Sequence, residues 1–344
     1  MNHRILSTAK HSFLLLLSLF SQGVTAQDIT TPDIQKRAEA LIERARQLSD
    51  IRSPNAPAFR LKATFSFMGN DLETVEGTYT EVWKSSSHWR RETVIKDVRR
   101  IEVAEGSKLW LLDSAMNLPE EADQIPFAMV AVPSSAGGLQ FKSTSEFSQM
   151  GVTGECTFAK AEPYPGKTAF CFDKKSGLLM EKVVPHARLH NVVAYDCEYG
   201  SFLQFGDYKF PREVACFEDR HRKLSATVVE LASEPSPDPA LFAPPAGAIE
   251  LGRCLTTAVG PQLEGFLGTG ATFQSRDQTP SIRVWFVVDV KGRPQNTKVL
   301  GSVEKGRYEK TLNMVKSWRF KPGTCNGEVM AMPLTVEIPS NIAP

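Results

Sequence analysis

Ser281-Ile-Arg-Val-Trp-Phe-Val-Val-Asp-Val290 alternates along its whole length. Val284, Phe286, Val288 and Val290 share one face of an extended chain, and Arg283, Trp285, Val287 and Asp289 share the other, so the run reads as a strand. Lys291-Gly292 stops it, because glycine tolerates positive φ and Pro294 follows. The chain then returns as a second strand from Gln295 to Leu300. After Gly301-Ser302 the apolar period lengthens to that of a helix. Tyr308, Leu312, Val315 and Trp318 fall on one face, and Pro322 with Gly323 should end it. A last alternating run, Met332 to Ile338, places Leu334, Val336 and Ile338 together in a closing strand. The order is strand, strand, helix, strand.

Moving outward, Ser233-Glu-Pro-Ser-Pro-Asp-Pro and Ala243-Pro-Pro-Ala-Gly247 are too rich in proline for sheet or helix interiors. Residues 233–250 therefore read as an extended connector, separating a domain at 27–232 from one at 251–344, with few contacts expected across it. The larger domain opens with an amphipathic helix at Thr31 to Ser49. Thr31 caps it, Pro32 stands at its first position, and Ile34, Ala38, Leu41, Ile42, Ala45 and Leu48 form one stripe. Strands and turns follow: Leu61 to Phe67, Val75 to Lys84, Trp89 to Ile95, Arg99 to Ala104 and Leu109 to Leu112. Their spacing is too short for parallel crossovers, so they are antiparallel neighbours. Pro119 to Phe147 is less regular and reads as helix-containing. Further strands run over Thr157 to Ala159, Thr168 to Asp173, Leu178 to Val184, Val192 to Tyr199, Val214 to Glu218 and Lys223 to Leu231.

Met1 to Ala26 has the form of a cleaved secretory signal: His3, Arg4 and Lys10, then the apolar Phe13 to Phe20, then Val24-Thr25-Ala26. That core is too short to span a bilayer, and no later run is long enough, so the mature chain is expected to be exported and periplasmic. With net charge +1 and 42% hydrophobic residues, composition indicates neither nucleic acid nor an acidic surface as partner. Six cysteines in an exported chain favour disulfides. The local pairing is Cys156 with Cys171, Cys197 with Cys216 and Cys254 with Cys325, and the sequence leaves the others open.

Two resemblances refine this. Val288-Asp-Val-Lys-Gly292, Val315-Lys-Ser-Trp-Arg-Phe-Lys-Pro322 and the Asn326-Gly327 turn resemble the C-terminal domain of TonB, the periplasmic energy transducer of Gram-negative bacteria. Gly260-Pro-Gln-Leu-Glu-Gly265 stands where that family has a Pro-x-Tyr-Pro opening. Cys171-Phe-Asp-Lys-Lys-Ser-Gly-Leu-Leu-Met180, Gly206-Asp-Tyr-Lys-Phe-Pro-Arg-Glu-Val214 and Gly77 to Arg91 resemble the lipoprotein carrier LolA. The resemblances imply an α+β chain: a LolA-like antiparallel open half-barrel with helices, then a TonB-like β-β-α-β domain. They also imply an envelope protein partner, bound by strand addition at Leu334, Val336 and Ile338, a lipid or acyl chain in the half-barrel, and a link to outer-membrane transport or lipoprotein handling.

Chemistry is sparse. His186 and His190 stand four apart, but Pro185 and strand-like flanks disfavour a metal site. His88 and His221 have no evident partners. No G-x-S-x-G, Rossmann or P-loop motif is present, and Gly265 to Gly270 reads as a loop. Trp89-Arg90-Arg91 and Trp318-Arg319 read as core tryptophans with solvent-side arginines. No catalytic, cofactor or metal residue is assigned. The expectation is a non-catalytic binding or adaptor protein, with an envelope hydrolase as the alternative.

Overall fold

The computed structural model describes residues 31–69, 73–113, 119–130, 132–133, 139–149, 152–160, 167–188, 191–218, 220–254, 258–264, 281–300 and 305–339. The proposed signal, His190 and the Gly265 to Gly270 stretch lie outside them.

Helix α1 (Thr31–Ser49) is followed by β1 (Phe59–Met68), β2 (Thr74–Ser85), β3 (His88–Ile95), β4 (Val98–Glu105) and β5 (Lys108–Asp113). Helix α2 (Glu120–Ala128) precedes β6 (Gln140–Gln149), β7 (Val152–Lys160), β8 (Lys167–Asp173), β9 (Leu179–Arg188) and β10 (Asn191–Gly200). Then come β11 (Leu203–Phe205), β12 (Tyr208–Phe210), β13 (Glu213–Glu218), β14 (His221–Ser233) and β15 (Ile249–Gly252). Apart from the β11–β12 hairpin, these strands make one 13-stranded antiparallel sheet, ordered β15-β5-β4-β3-β2-β1-β14-β13-β10-β9-β8-β7-β6. It is a large open sheet with few helices. Part of the stretch read as helix-containing is in fact strand β6, whose polar Ser143 to Glu146 shows no apolar alternation.

Alternation sends Phe59, Leu61, Ala63, Phe65 and Phe67 of β1 to the face that α1 covers, where they join Ala38, Ile42 and Ala45 in one core. Gln35 of α1 bonds the backbone of Leu139 and Phe141 at the β6 end, while Arg52 just beyond α1 bonds Glu81 on β2. One helix thus serves strands far apart in the sheet order, because the sheet curls round it. This helix-covered face is the inner face.

The proline-rich segment is not a free connector. Pro239–Phe242 forms a 3-10 turn, and Phe242 packs with Val82, Ile101 and Val103 on the outer face. β15 then adds to β5 as an edge strand. Its apolar residues supplied the missing contacts: proline content reports what a segment cannot do internally, not what it lies against.

The C-terminal region contains β16 (Ala258–Val259), β17 (Gln262–Glu264), β18 (Ser281–Val288), β19 (Pro294–Leu300), α3 (Lys305–Ser317), β20 (Arg319–Lys321), β21 (Gly323–Cys325), β22 (Glu328–Met330) and β23 (Met332–Pro339). Strands β19-β18-β23 form an antiparallel sheet, and α3 packs Leu312 and Val315 on Val284, Phe286 and Val288. The helix ends at Ser317, earlier than Pro322. Arg319–Lys321 pairs with β17 and Phe320 N–H donates to Gly292 O at 2.9 Å, which takes the backbone out of the helix. Gly292 has φ +72°, and a Cβ there would stand 1.8 Å from Phe320 O, so only glycine fits this turn. Val290, read as part of the strand face, instead lies beyond its end and is exposed. Asn326 and Gly327, both at positive φ, make the β21–β22 hairpin turn.

Trp285 and Val287, on the other face of β18, pack on Leu111 of β5 and Leu251 of β15. Gly252 N–H donates to Ala331 O, and Lys298 Nζ lies 3.0 Å from Asp113 Oδ2. The C-terminal region therefore sits against the β5–β15 end of the large sheet, and many contacts cross where few were expected. All six cysteines pair, as Cys156–Cys171, Cys197–Cys216 and Cys254–Cys325.

Candidate functional site

The inner face between β8 and β14 is mainly apolar and aromatic. Phe170 and Phe172 of β8, Leu179 of β9, Tyr195 and Tyr199 of β10, and Leu224 and Val228 of β14 are all buried there. Helix α2 covers this face with Ile125, Ala128 and Met129. It has nine residues, Pro119 at its N-cap makes no side-chain cap bond, and Pro126 lies inside it. A helix this short, with one amide missing, has little stability of its own and depends on tertiary contacts.

Two of those contacts are cations placed at its C-terminal carbonyls. Lys182 Nζ donates to Val130 O at 2.8 Å and to Phe127 O at 3.4 Å, with the Phe127 ring centroid 3.8 Å away. Arg52 Nη1 donates to Met129 O at 3.3 Å from the other side. Positive charge at a helix C-terminus is favourable, since the last carbonyls lack intrahelical partners.

The two cations differ in their surroundings. Arg52 Nε donates to Glu81 Oε1 at 3.0 Å, with a second, close contact from Nη2 to Oε2. Arg91 Nε reaches Glu81 Oε1 at 3.1 Å, and Tyr79 Oη donates to Oε2 at 3.1 Å. Burial pushes the Glu81 carboxyl up, but Arg52 and Arg91 outweigh it and hold the group at about 2. Lys182, only 4% exposed, has carbonyl and ring partners but no carboxylate among the described residues. Burial alone lowers its ammonium to about 7. Close by, the Tyr199 ring centroid is 5.9 Å from Lys182 Nζ, and the Tyr199 hydroxyl is buried with no partner among the described residues.

Arg91 was read as a solvent-side flank of Trp89. It instead turns to the same inner face, stacks on Trp89 at 4.3 Å and joins Glu81, as residues two apart on a strand must. Trp318 does join the α3 core, and Arg319 is exposed, donating to the Ser317 and Trp318 carbonyls. His88, read as lacking partners, has Ser87 Oγ at 3.0 Å from Nδ1 and stacks edge-on against Phe242. This Ser–His contact joins chain neighbours at a hairpin turn, and no acid is seen on the other ring nitrogen among the described residues. His186 lies on β9, and His190, the other half of that pair, lies outside the described residues. Among the described residues no group of His, Cys, Asp and Glu is arranged to hold a metal ion.

Leu334, Val336 and Ile338 turn toward α3 and its core. What β23 offers outward is its backbone edge, since among the described residues it pairs with β18 on one side only within its sheet. A groove of about 550 Å³ opens on the outer face of β1, β2 and β14, lined by hydroxyls of Thr64, Ser66, Thr78, Ser225 and Thr227 and including neither histidine nor cysteine. Among the described residues no helix is long and apolar enough to cross a membrane.

No protein-family model matches the chain, and no curated protein does. Among solved structures, a LolA superfamily protein from Nitrosomonas europaea aligns at 11% identity and TM-score 0.41, covering 60% of this chain and 97% of that one. A putative outer membrane lipoprotein-sorting protein domain from Vibrio parahaemolyticus aligns at 10% identity and TM-score 0.41, covering 60% and 97%. MucB in complex with MucA(peri) aligns at 11% identity and TM-score 0.23, covering 91% and 96%.

Proposed function

We propose that this chain is an exported, non-catalytic binding protein of the bacterial envelope that takes an acyl chain on the inner face beneath α2. The observation that carries this is the cover itself. A short, proline-interrupted helix lies over a wide aromatic face and is tethered through its main-chain carbonyls, so displacing it would open an apolar surface at modest cost. Export is supported by the pairing of all six cysteines and by the signal-like Met1 to Ala26. The decisive experiment is lipid extraction and mass spectrometry of the protein purified from its own envelope. An acyl species at near-stoichiometric level is expected. Absence of lipid, together with no uptake of an added long-chain alcohol or fatty acid, would overturn the reading.

A second, compatible reading concerns the C-terminal region. Its strand, strand, helix, strand order supports a TonB-like adaptor, and the open edge of β23 supports pairing with an envelope protein by strand addition. In this reading Leu334, Val336 and Ile338 hold the strand in place while its backbone makes the contact, and the link is to energy-coupled outer-membrane transport or lipoprotein handling. The hydrolase alternative would need a nucleophile and base meeting in a cleft. Ser87 and His88 meet at a hairpin turn instead.

A further inference from the structure

We propose that Lys182 Nζ and Tyr199 Oη form a subsite for the anionic head, carboxylate or phosphoester, of an amphiphile whose acyl chain lies on the face that α2 covers. The proposal rests on the acyl-binding reading above and adds the chemistry of the head.

Lys182 is anomalous as a structural residue. Burying an ammonium without a counter-ion costs several kcal/mol, and an apolar side chain of similar length would avoid that cost. Elsewhere the fold pairs its buried carboxylates: Glu81 with Arg52 and Arg91, Glu155 with Arg37, and Glu218 with Lys223. Around Lys182 stand Phe170 on β8, Tyr199 and the Cys197–Cys216 disulfide on β10 and β13, and Phe127 and two carbonyls from α2. The nearby acids Glu181, Asp196 and Glu198 alternate to the opposite face of the sheet.

The hydrogen-bond partners that Lys182 does have belong to the cover. When α2 moves aside, the ammonium loses both carbonyls at the moment the aromatic face becomes available. An incoming anion would replace them, and the Tyr199 hydroxyl, diagonal to Lys182 on the same face, supplies a second donor that now has no acceptor among the described residues. A neutral lipid would leave the cation stranded. Lys182 would then hold the cover shut when the site is empty and hold the head when it is filled.

The test uses the full mature chain at pH 7 with three probes of one chain length, each below its aggregation limit: hexadecanoate, hexadecan-1-ol and a hexadecanoyl lysophosphatidate. An anionic probe should bind at least about tenfold tighter than the alcohol, the scale of a hydrogen bond to a charged group. Whichever anion binds tighter names the source of the head. Lys182→Met should bring all three within about threefold of one another while the alcohol still binds, and Tyr199→Phe should cost the anion roughly fivefold. In NMR of labelled lysines, the anion should raise the Lys182 titration while the alcohol should not. Equal binding of anion and alcohol by the wild type, which needs no variant to fold, would overturn the subsite and leave the acyl reading standing. A preference retained in Lys182→Met would do the same. If none of the three binds, the acyl reading falls and the subsite with it.

Discussion

On β2 to β5 the inner face carries Glu81, Arg91, Glu102, Arg100 and Asp113. On β8 to β10 it carries Phe170, Phe172, Tyr195, Tyr199 and, among the described side chains, one cation, Lys182. In the first half each charge has an opposite neighbour. Arg91 faces Glu81 and Glu102 across the strands, Arg100 lies 3.5 Å from Asp113, and Asp113 is met by Lys298 from the C-terminal region. That half is closed by a folded module whose Trp285 and Val287 pack on the sheet edge. The second half is closed by nine helical residues and a tether to main-chain carbonyls. Both faces are buried, but only the first is held by interactions costly to break. The difference separates a wall held by ion pairs from one closed by a short helix.

The largest effect should come from removing the centre of the ion-paired wall. Glu81→Gln leaves Arg52 and Arg91 buried without their counter-ion, which should cost about 4 kcal/mol in urea unfolding at pH 7. Because the folded carboxyl is held at about 2, below its ordinary 4.5, its contribution is fully present above pH 4.5 and lost as pH falls toward 2. The gap between wild type and variant should therefore shrink at pH 3. A cost under about 1 kcal/mol at pH 7 would mean that the charge ladder does not hold this half.

Next comes the packing that joins the C-terminal region to the wall. Trp285 is 8% exposed, and Trp285→Ala should cost about 3 kcal/mol by opening a cavity among Leu111, Leu251 and Val287. It should also split a single unfolding transition in two, since Lys298–Asp113 and β15 would remain as the principal ties. Two transitions already present in the wild type would instead favour independent units on either side of residues 233–250.

How much of this contrast the sequence carried depends on parity. β1 alternates without interruption from Phe59 to Phe67, so its inner face was legible, as was the stripe of α1. The Asn326-Gly327 turn was legible too, as were Cys156–Cys171 and Cys197–Cys216, which join neighbouring strands, whereas Cys254–Cys325, 71 residues apart, rested on keeping each pair within one domain. Lys182 was hidden. The pairing of β8 with β9 slips between Cys171 and Phe172, so Leu179 and Lys182, three apart, both turn inward, and simple alternation would put them on opposite faces. Glu81 did leave a trace: it sits between Tyr79 and Trp83 at inner positions, a charge where an apolar residue belongs. Its partner Arg52 comes from the turn after α1, and no pattern along the chain foretells that meeting. β15 was hidden for a similar reason, because its pairing with β5 is decided by where the chain travels after the prolines.

A smaller effect distinguishes the second half by its response to pH. The folded Lys182 titrates at about 7 against an ordinary 10.5, so the unfolded chain holds the extra proton between those values and wild-type stability rises with pH across that window. Lys182→Met lacks this term. Its stability relative to wild type should be greatest near pH 7 and shrink by about 2 kcal/mol between pH 7.5 and 9.5. A gap that stays constant across that range would mean that Lys182 is hydrated in the folded protein, and the contrast with Glu81 would fail.

The smallest effect should fall on the cover alone. Phe127 is 40% exposed, so truncating it removes little buried area, and Phe127→Ala should change global stability by less than about 1 kcal/mol. Its ring, however, stacks on Lys182 at 3.8 Å, an interaction of about 1 kcal/mol that acts only while α2 is seated. Amides of α2 should therefore exchange about fivefold faster in the variant, while those of β1 and β2 keep their rates. In the wild type α2 should already exchange faster than β1, because it lacks an N-cap bond and one interior amide and rests mainly on Ile125, Ala128, Met129 and two cations. Hydrogen exchange read by mass spectrometry resolves both segments in one experiment. Protection of α2 equal to that of β1, unchanged by the substitution, would make the second half as fixed as the first and would leave an incoming acyl chain no low-cost way onto the inner face.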